Sequence, residues 1–289
     1  LVEWIRSNCD NDKHRTLWKE SACVRMQVDP SSECGDRVLM SVGEMKRNLR
    51  LPIPPKCIIM LDKVKKMPVG VALEGLDDYS IMATFLLYEK RLGEESFWQP
   101  YINVLPTDMG FHPITFIPRV NKDKALDKAL SEEPLLLKAL QAQDQKLRSE
   151  YKSVTAQIKT HEKNLSAFSS NLPTYEEFIW ANCMVISRAF NMSEPKVMVM
   201  LPFADSMNHS MTPTVQWRPK LPRGFFVITI IEDTPPGVEL TANYHGGGDT
   251  NRTNLDALRQ YLMYGFVESS SFQGVIRASL ASSESLEHK

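Results

Sequence analysis

Two stretches late in the sequence hold the side chains best suited to chemistry. The first is Phe203-Ala204-Asp205-Ser206-Met207-Asn208-His209-Ser210. The second is Gly237-Val238-Glu239-Leu240-Thr241-Ala242-Asn243-Tyr244, followed after an interval by Tyr261-Leu262-Met263-Tyr264-Gly265-Phe266. An Asn-His pair after an apolar run suits a turn around a satisfied histidine, a metal site or a ligand-binding loop. A metal site asks for a second histidine or a carboxylate at matching spacing; His245 could supply one, although nothing fixes its position. A nucleophilic pair of Cys183 and His209 is conceivable but has no recognisable signature around it. A single tyrosine such as Tyr244 is by default a packing or capping residue. Taken one at a time, these residues name no reaction, so the elements that hold them matter.

The chain has 289 residues, a net charge of -1 and 43% hydrophobic residues. That is enough apolar material for a sizeable core, as one large domain or two coupled ones. No apolar run approaches the ~20 residues of a membrane span, and no signal peptide is expected in the residues present. Balanced charge argues against bulk nucleic-acid binding. The five cysteines, Cys9, Cys23, Cys34, Cys57 and Cys183, are scattered and include no CxxC pair. They support neither a disulfide framework nor a zinc cluster, and reduced, mostly buried thiols in an intracellular protein are expected.

Texture changes along the chain. Residues 1–68 are punctuated by Pro52, Pro54, Pro55 and Pro68, which predicts short strands and turns rather than helices, with a strand pair or kinked strand over 51–61. Ile81, Thr84, Phe85, Tyr88 and Leu92 follow helical spacing, with Asp77 or Asp78 to cap and Gly93 to stop. Residues 122–168 are rich in Lys, Glu, Gln, Ala and Leu, which predicts a long solvated helix interrupted near Pro134. Thr174-Tyr175-Glu176-Glu177 reads as a capping box, opening a helix through Trp180 and Ile186 toward Phe190. Residues 197–201 and 225–231 have strand character, and the turn Asp233-Thr234-Pro235-Pro236-Gly237 leads into a further strand over 238–244. A helix over 254–261 precedes Gly265. Strands, a helical block, then strands again imply an α+β fold with a helical insertion dividing the sheet region.

Together the two clusters resemble the SET-domain methyltransferases, in the branch typified by the Rubisco large-subunit lysine methyltransferase. There an Asn-His-Ser segment passes beside a segment of Glu-Leu…Tyr pattern, and a knot-like crossing forms the cofactor pocket. Further stretches match in order. Phe85-Leu86-Leu87-Tyr88-Glu89-Lys90, then Ser96-Phe97-Trp98-Gln99-Pro100-Tyr101 and Leu105-Pro106, resemble the start of that branch's helical insert. Phe178-Ile179-Trp180-Ala181 leading to Ser187-Arg188-Ala189-Phe190 resembles the insert's last helix, and Tyr264-Gly265-Phe266 the closing motif. The resemblance spans residues 33–268. It implies a SET-domain β-fold of small sheets: an N-terminal part over 1–68, a helical insert over 69–190 and a C-terminal part over 191–289. The helical substrate-docking domain usual in the branch is not expected within these residues.

The activity implied is S-adenosylmethionine-dependent N-methylation of a protein, foremost on lysine, with S-adenosylhomocysteine as product and no metal. Methyl transfer from a sulfonium to an amine is an in-line displacement, so the protein must orient, desolvate and receive a neutral amine. A lysine amine, with a pKa of about 10.4 in water, loses its proton more readily in an aromatic channel beside a sulfonium. By the resemblance Tyr244 is the catalytic residue. Its hydroxyl, with carbonyls around Ala242, holds the methyl by CH···O contacts of about 0.5–1 kcal/mol each. Asn208 and His209 bind the cofactor through backbone groups and the amide side chain, and Arg188 reaches the cofactor carboxylate. Asp205 shapes the site or pairs with Arg188, and Phe266 packs near the adenine. Glu33, in Glu33-Cys34-Gly35, stands where the branch has a cofactor-cradling glycine loop. Phe190, Ala242 and Tyr264 line the substrate channel.

That glycine loop is degenerate here, and His245-Gly246-Gly247-Gly248 follows the tyrosine where relatives commonly have a single glycine. Two rival readings stay open: a protein-histidine methyltransferase, and a SET-derived protein- or peptide-binding module of weak or no activity. The partner implied is a protein or peptide substrate, with neither a membrane nor direct nucleic-acid binding expected. The setting implied is intracellular, whether cytoplasmic, nuclear or plastid.

Overall fold

The computed structural model describes residues 1–20, 24–28, 37–107, 112–193, 196–220, 225–244 and 254–266. In chain order the helices are α1 (Val2–Ser7), α2 (Asp12–Glu20), α3 (Leu61–Val64), α4 (Pro68–Val71), α5 (Asp78–Leu92), α6 (Gln99–Ile102), α7 (Lys124–Ser131), α8 (Pro134–Thr160), α9 (Tyr175–Arg188) and α10 (Asn254–Tyr264). The strands are β1 (Val24–Val28), β2 (Arg37–Ser41), β3 (Arg50–Ile53), β4 (Ile59–Met60), β5 (Ala189–Ser193), β6 (Lys196–Met200), β7 (Asn208–His209), β8 (Val215–Lys220), β9 (Phe225–Ile230) and β10 (Thr241–Ala242). Short 3-10 turns, including Ala204–Ser206, connect them. The chain divides into two compact units. One comprises Leu1–Lys63, Phe97–Val104 and Arg188–Asp249; the other comprises Val64–Ser96, Leu105–Ser187 and Thr250–Lys289.

The first unit holds small sheets. One has five strands in the order β3-β9-β8-β10-β7, another runs β4-β6-β5, and β1 pairs with β2. The interior face of the five-stranded sheet is apolar in alternation, with Leu51 and Ile53 on β3 and Phe226, Ile228 and Ile230 on β9. Pro52 sits within β3, at the sheet's edge, where its missing N–H leaves no gap in a ladder. Its carbonyl instead accepts a 2.6 Å hydrogen bond from the Trp18 indole. That bond ties α2 to the sheet, and Trp18 is wholly buried. Residues 1–20 therefore depart from the expectation of strands and turns. They form α1 and α2, whose inward residues Ile5 and Trp18 join the sheet's core together with Cys9 of the connection between them.

Two strand expectations also change on folding. Over 51–61, β3 and β4 are both strands but pair into different sheets, β3 with β9 and β4 with β6. A 3-10 turn, Pro55–Cys57, redirects the chain between them. Over 238–244 only Thr241 and Ala242 form a strand. The Val238 carbonyl accepts from the Ser41 N–H (2.9 Å), and the Leu240 N–H donates to the Leu39 carbonyl (2.7 Å). The segment thus follows β2 and then changes partner to β7 and β8 at Thr241, so no continuous ladder forms.

The second unit is helical, and its helix ends follow their sequence signals. The Asp77 carboxylate caps α5 by accepting from the N–H groups of Tyr79 and Ser80, and Gly93 closes that helix at a φ of 56°. The long predicted helix over 122–168 is split, with α7 ending at Ser131 and α8 starting at Pro134. Leu136, Leu140, Leu147, Val154 and Ile158 make the buried stripe of α8. At α9 the capping box closes in both directions. The Glu177 N–H donates to Thr174 Oγ1 (3.1 Å), and the Thr174 N–H donates to Glu177 Oε2 (2.7 Å). The helix stops at Arg188, short of Phe190, because Ala189 begins β5.

The end of α10 is held by a buried histidine. The Ile114 N–H donates to His112 Nδ1 (3.2 Å), which leaves the proton on Nε2 to be donated to the Met263 carbonyl (3.0 Å). Gly265, at a φ of 77°, caps the helix through a bond from its N–H to the Tyr261 carbonyl. A side chain there would meet His112 Cα at 3.2 Å. Cys9, Cys57 and Cys183 are buried and not in disulfides; Cys23 and Cys34 lie outside the described residues.

Two predictions follow from these helix ends. Thr174→Ala removes one arm of the capping box and should cost about 1 kcal/mol in urea denaturation, with the slope of the transition unchanged. Burial lowers the His112 pKa from 6.5 to about 4, against the Met263 carbonyl, which favours the charged ring. The unfolded chain therefore binds the extra proton between these pH values. Stability is complete above about pH 6.5 and declines toward pH 4, by about 3 kcal/mol in all. Relative to His112→Gln, the wild type should lose stability across this window in denaturation at a series of pH values.

Candidate active site

The two clusters meet in the first unit. Strand β10 pairs in parallel with β7, Thr241 opposite Asn208 and Ala242 opposite His209, while Ala242 also pairs with Val215 of β8. The Ser210 N–H continues the contact to the Ala242 carbonyl (3.0 Å). Tyr244 lies two residues beyond the strand and is fixed at both ends. Its N–H donates to His209 Nδ1 (3.1 Å), and its hydroxyl donates to the Met207 carbonyl (2.6 Å). The two rings lie 5.2 Å apart. Accepting from that N–H places the His209 proton on Nε2. The Asn208 amide donates to Glu239 Oε1 (2.8 Å), so the amide expected to face a cofactor is bonded to a carboxylate of the neighbouring segment.

The segment carrying Met207 enters by an unusual route. Phe203 has a φ of 78° and a ψ of -50°, a conformation that costs a non-glycine residue on the order of 1–3 kcal/mol. Packing offsets it: Phe203 is buried and meets the Trp18 ring edge-on at 5.1 Å. The 3-10 turn that follows is held by the Asp205 N–H on the Leu201 carbonyl and the Ser206 N–H on the Phe203 carbonyl. Arg188 Nη1 donates to the Asp205 backbone carbonyl (2.8 Å) and lies 3.9 Å from Asp205 Oδ2. Tyr101 donates its hydroxyl to the same Oδ2. Burial raises the Asp205 carboxyl to about 6, while Arg188 and Tyr101 favour its charged form.

Of the expected site residues, Arg188, Asp205, Asn208, His209, Ala242 and Tyr244 form one connected set. Phe190, on β5, packs edge-on against Trp217 at 5.0 Å and tilted against Phe226 at 5.9 Å. Tyr264 and Phe266 belong to the second unit, with their rings 5.9 Å apart beside the His112 latch. Glu33 lies outside the described residues, as does the stretch from His245 to Gly248. Sequence reasoning left Tyr101, Met207 and Glu239 without a role. Glu239 and Met207 carried a faint signal through their places in the two clusters, though nothing pointed to the Met207 carbonyl as an acceptor.

Comparison with known proteins finds similar sequences and structures. The chain is 28% identical over 249 residues to the chloroplastic ribulose-1,5 bisphosphate carboxylase/oxygenase large subunit N-methyltransferase of Nicotiana tabacum, covering 81% of this chain and 46% of that protein. It is 28% identical to the chloroplastic [fructose-bisphosphate aldolase]-lysine N-methyltransferase of Arabidopsis thaliana, over 76% of this chain and 43% of that protein. It is 26% identical to SET domain-containing protein 4 of Mus musculus, over 68% of this chain and 46% of the relative. The chain thus spans about half the length of these relatives. Among solved structures, the SET domain of LSMT bound to lysine and AdoHcy superposes with a TM-score of 0.69 at 22% identity, over 90% of this chain and 58% of that one. Rubisco LSMT bound to AdoMet gives 0.63 at 23% identity, over 91% and 58%. No family model matches the chain. The fold is that of a SET domain. Within that class, the relatives and structures it is similar to include the Rubisco large-subunit N-methyltransferase and LSMT.

The bond between the Asn208 amide and Glu239 involves an ionised acceptor, a class that contributes about 1.5–3 kcal/mol. Asn208→Ala should therefore destabilise the protein by that order in chemical denaturation.

Proposed function

We propose that this chain is the catalytic part of an S-adenosylmethionine-dependent protein N-methyltransferase acting on lysine. The observation that carries the reading is the seat of Tyr244. Its hydroxyl is held on the Met207 carbonyl and its backbone on His209, within a SET fold, where the Asn208-His209 strand meets its parallel partner. The site also suits the amino-acid end of the cofactor. Arg188 Nε is buried and has no hydrogen-bond partner among the described residues, and an N–H of that kind wants a carboxylate.

S-adenosylmethionine, when bound, supplies a methyl group on a cationic sulfonium. The residues around it supply position. With its proton committed to Met207, the Tyr244 oxygen offers lone pairs rather than a donor to whatever lies in front of it. It can thus align a methyl group and a neutral amine without protonating either. His209, accepting at Nδ1, fixes the backbone from which that oxygen is presented. Phe190 and Ala242 are proposed as channel walls. Among the described residues no group of three or more metal-ligating side chains gathers, and no helix is long and apolar enough to cross a membrane. The names of the relatives support a protein substrate, and those of the plant relatives are compatible with a plastid setting.

Calorimetry with S-adenosylmethionine should show saturable binding. Incubation with isotope-labelled cofactor and a proteome, followed by mass spectrometry, should place the label on lysine. Tyr244→Phe should lower turnover by about a hundredfold, the scale of a misplaced reacting group, while cofactor binding persists. Label on histidine would move the assignment to the histidine-methylating variant. No detectable cofactor binding would end the enzyme reading.

A further inference from the structure

We propose that Tyr101 is a positioning residue for this site: from α6 its hydroxyl grips the buried Asp205 carboxylate and so fixes the turn that delivers the Met207 carbonyl to Tyr244. The proposal rests on the methyltransferase reading and adds to it a residue outside both clusters.

Tyr101 is wholly buried, so its hydroxyl has a fixed place only if it has a buried partner. That partner is Asp205 Oδ2, reached across 104 residues of sequence. The carboxylate's other neighbour is Arg188, which grips the same residue by its backbone carbonyl at 2.8 Å and lies 3.9 Å from Oδ2. Asp205 is therefore held at side chain and backbone at once. Two residues further on stands Met207, whose carbonyl receives the Tyr244 hydroxyl at 2.6 Å. Upstream, the turn begins at Phe203, whose backbone sits where a non-glycine residue stays only under external restraint. Trp18 provides that restraint on one side of the turn and the Tyr101–Asp205–Arg188 set on the other.

This arrangement makes the charge on Asp205 a structural variable. The ionised carboxylate accepts from Tyr101 and attracts Arg188. Among the described residues the charged and titratable groups facing it are these two, with the Ser206 hydroxyl also favouring the ionised form. Burial works against ionisation. Taking away the Tyr101 hydroxyl removes a donor to the charged form, so Asp205 should bind its proton at higher pH and the turn should loosen earlier on acidification.

The test is S-adenosylmethionine affinity measured by calorimetry across pH 5–8 for the wild type, Tyr101→Phe and Asp205→Asn, with kcat and KM followed in parallel. In the wild type, affinity and kcat should fall on acidification. In Tyr101→Phe the midpoint of that fall should move to higher pH, with kcat reduced on the order of tenfold at neutral pH and KM for the protein substrate changed less. In Asp205→Asn the acid fall in cofactor affinity should vanish, while kcat keeps the fall that comes from protonation of the substrate amine. Should Tyr101→Phe fail to fold, 3-fluorotyrosine placed at residue 101, a stronger donor of the same shape, should move the midpoint to lower pH. Unchanged midpoints in these variants would overturn the positioning role even if melting temperatures drop. Absence of cofactor binding in the wild type would instead overturn the methyltransferase reading beneath it.

Discussion

Two residues of β7 lie against two residues of β10, and the candidate site depends on that short parallel pairing. A ladder of two residues has almost no stability of its own, since parallel strands normally need a buried sheet around them. It persists because Ala242 is shared with β8, which belongs to the broad β3–β9–β8 surface, and because the Asn208 amide is bonded to Glu239. The pairing sets the register between the clusters. A slip of one residue would shift His209 out of line with Ala242 and separate the Tyr244 N–H from His209.

The chain reaches that pairing through a strained turn, and the strain is met by packing elsewhere. Phe203 is held in its left-handed conformation by a wholly buried tryptophan that is itself bonded to the edge strand at Pro52. Beyond it the carboxylate of Asp205 lies buried among Tyr101 and Arg188. A buried charge of this kind is tolerable only while its partners stay in place, since removing one leaves the penalty of its desolvation uncompensated. Strain at one end of the turn and a buried polar set at the other leave it few alternative conformations. That suits a segment whose backbone carbonyl orients a reactive hydroxyl.

The helical unit shows a different economy. Its helix ends are settled by neighbours in sequence: Asp77 and Gly93 bound α5, and Thr174 and Glu177 open α9. The exception is the end of α10, where a Cβ on Gly265 would sit only 3.2 Å from His112 Cα. The glycine of Tyr264-Gly265-Phe266 is therefore needed for both a positive φ and a close contact.

The sequence by itself determined the helix caps, the apolar strands β6 and β9, the α+β order and the identity of the two clusters, because these rest on interactions within a few residues or on one-residue alternation. It misread 1–20, where the amphipathic helices α1 and α2 find their core only against a sheet formed later in the chain. It misread 238–244, whose alternation is real but whose partners change at Thr241. Tertiary structure decided the rest: that Asn208 is bonded to Glu239, that Tyr244 is held by the Met207 carbonyl, and that Tyr101 reaches Asp205. A backbone carbonyl has no letter in the sequence, and a hydrogen bond across a hundred residues leaves no periodicity. Such contacts exist only once the chain has closed on itself.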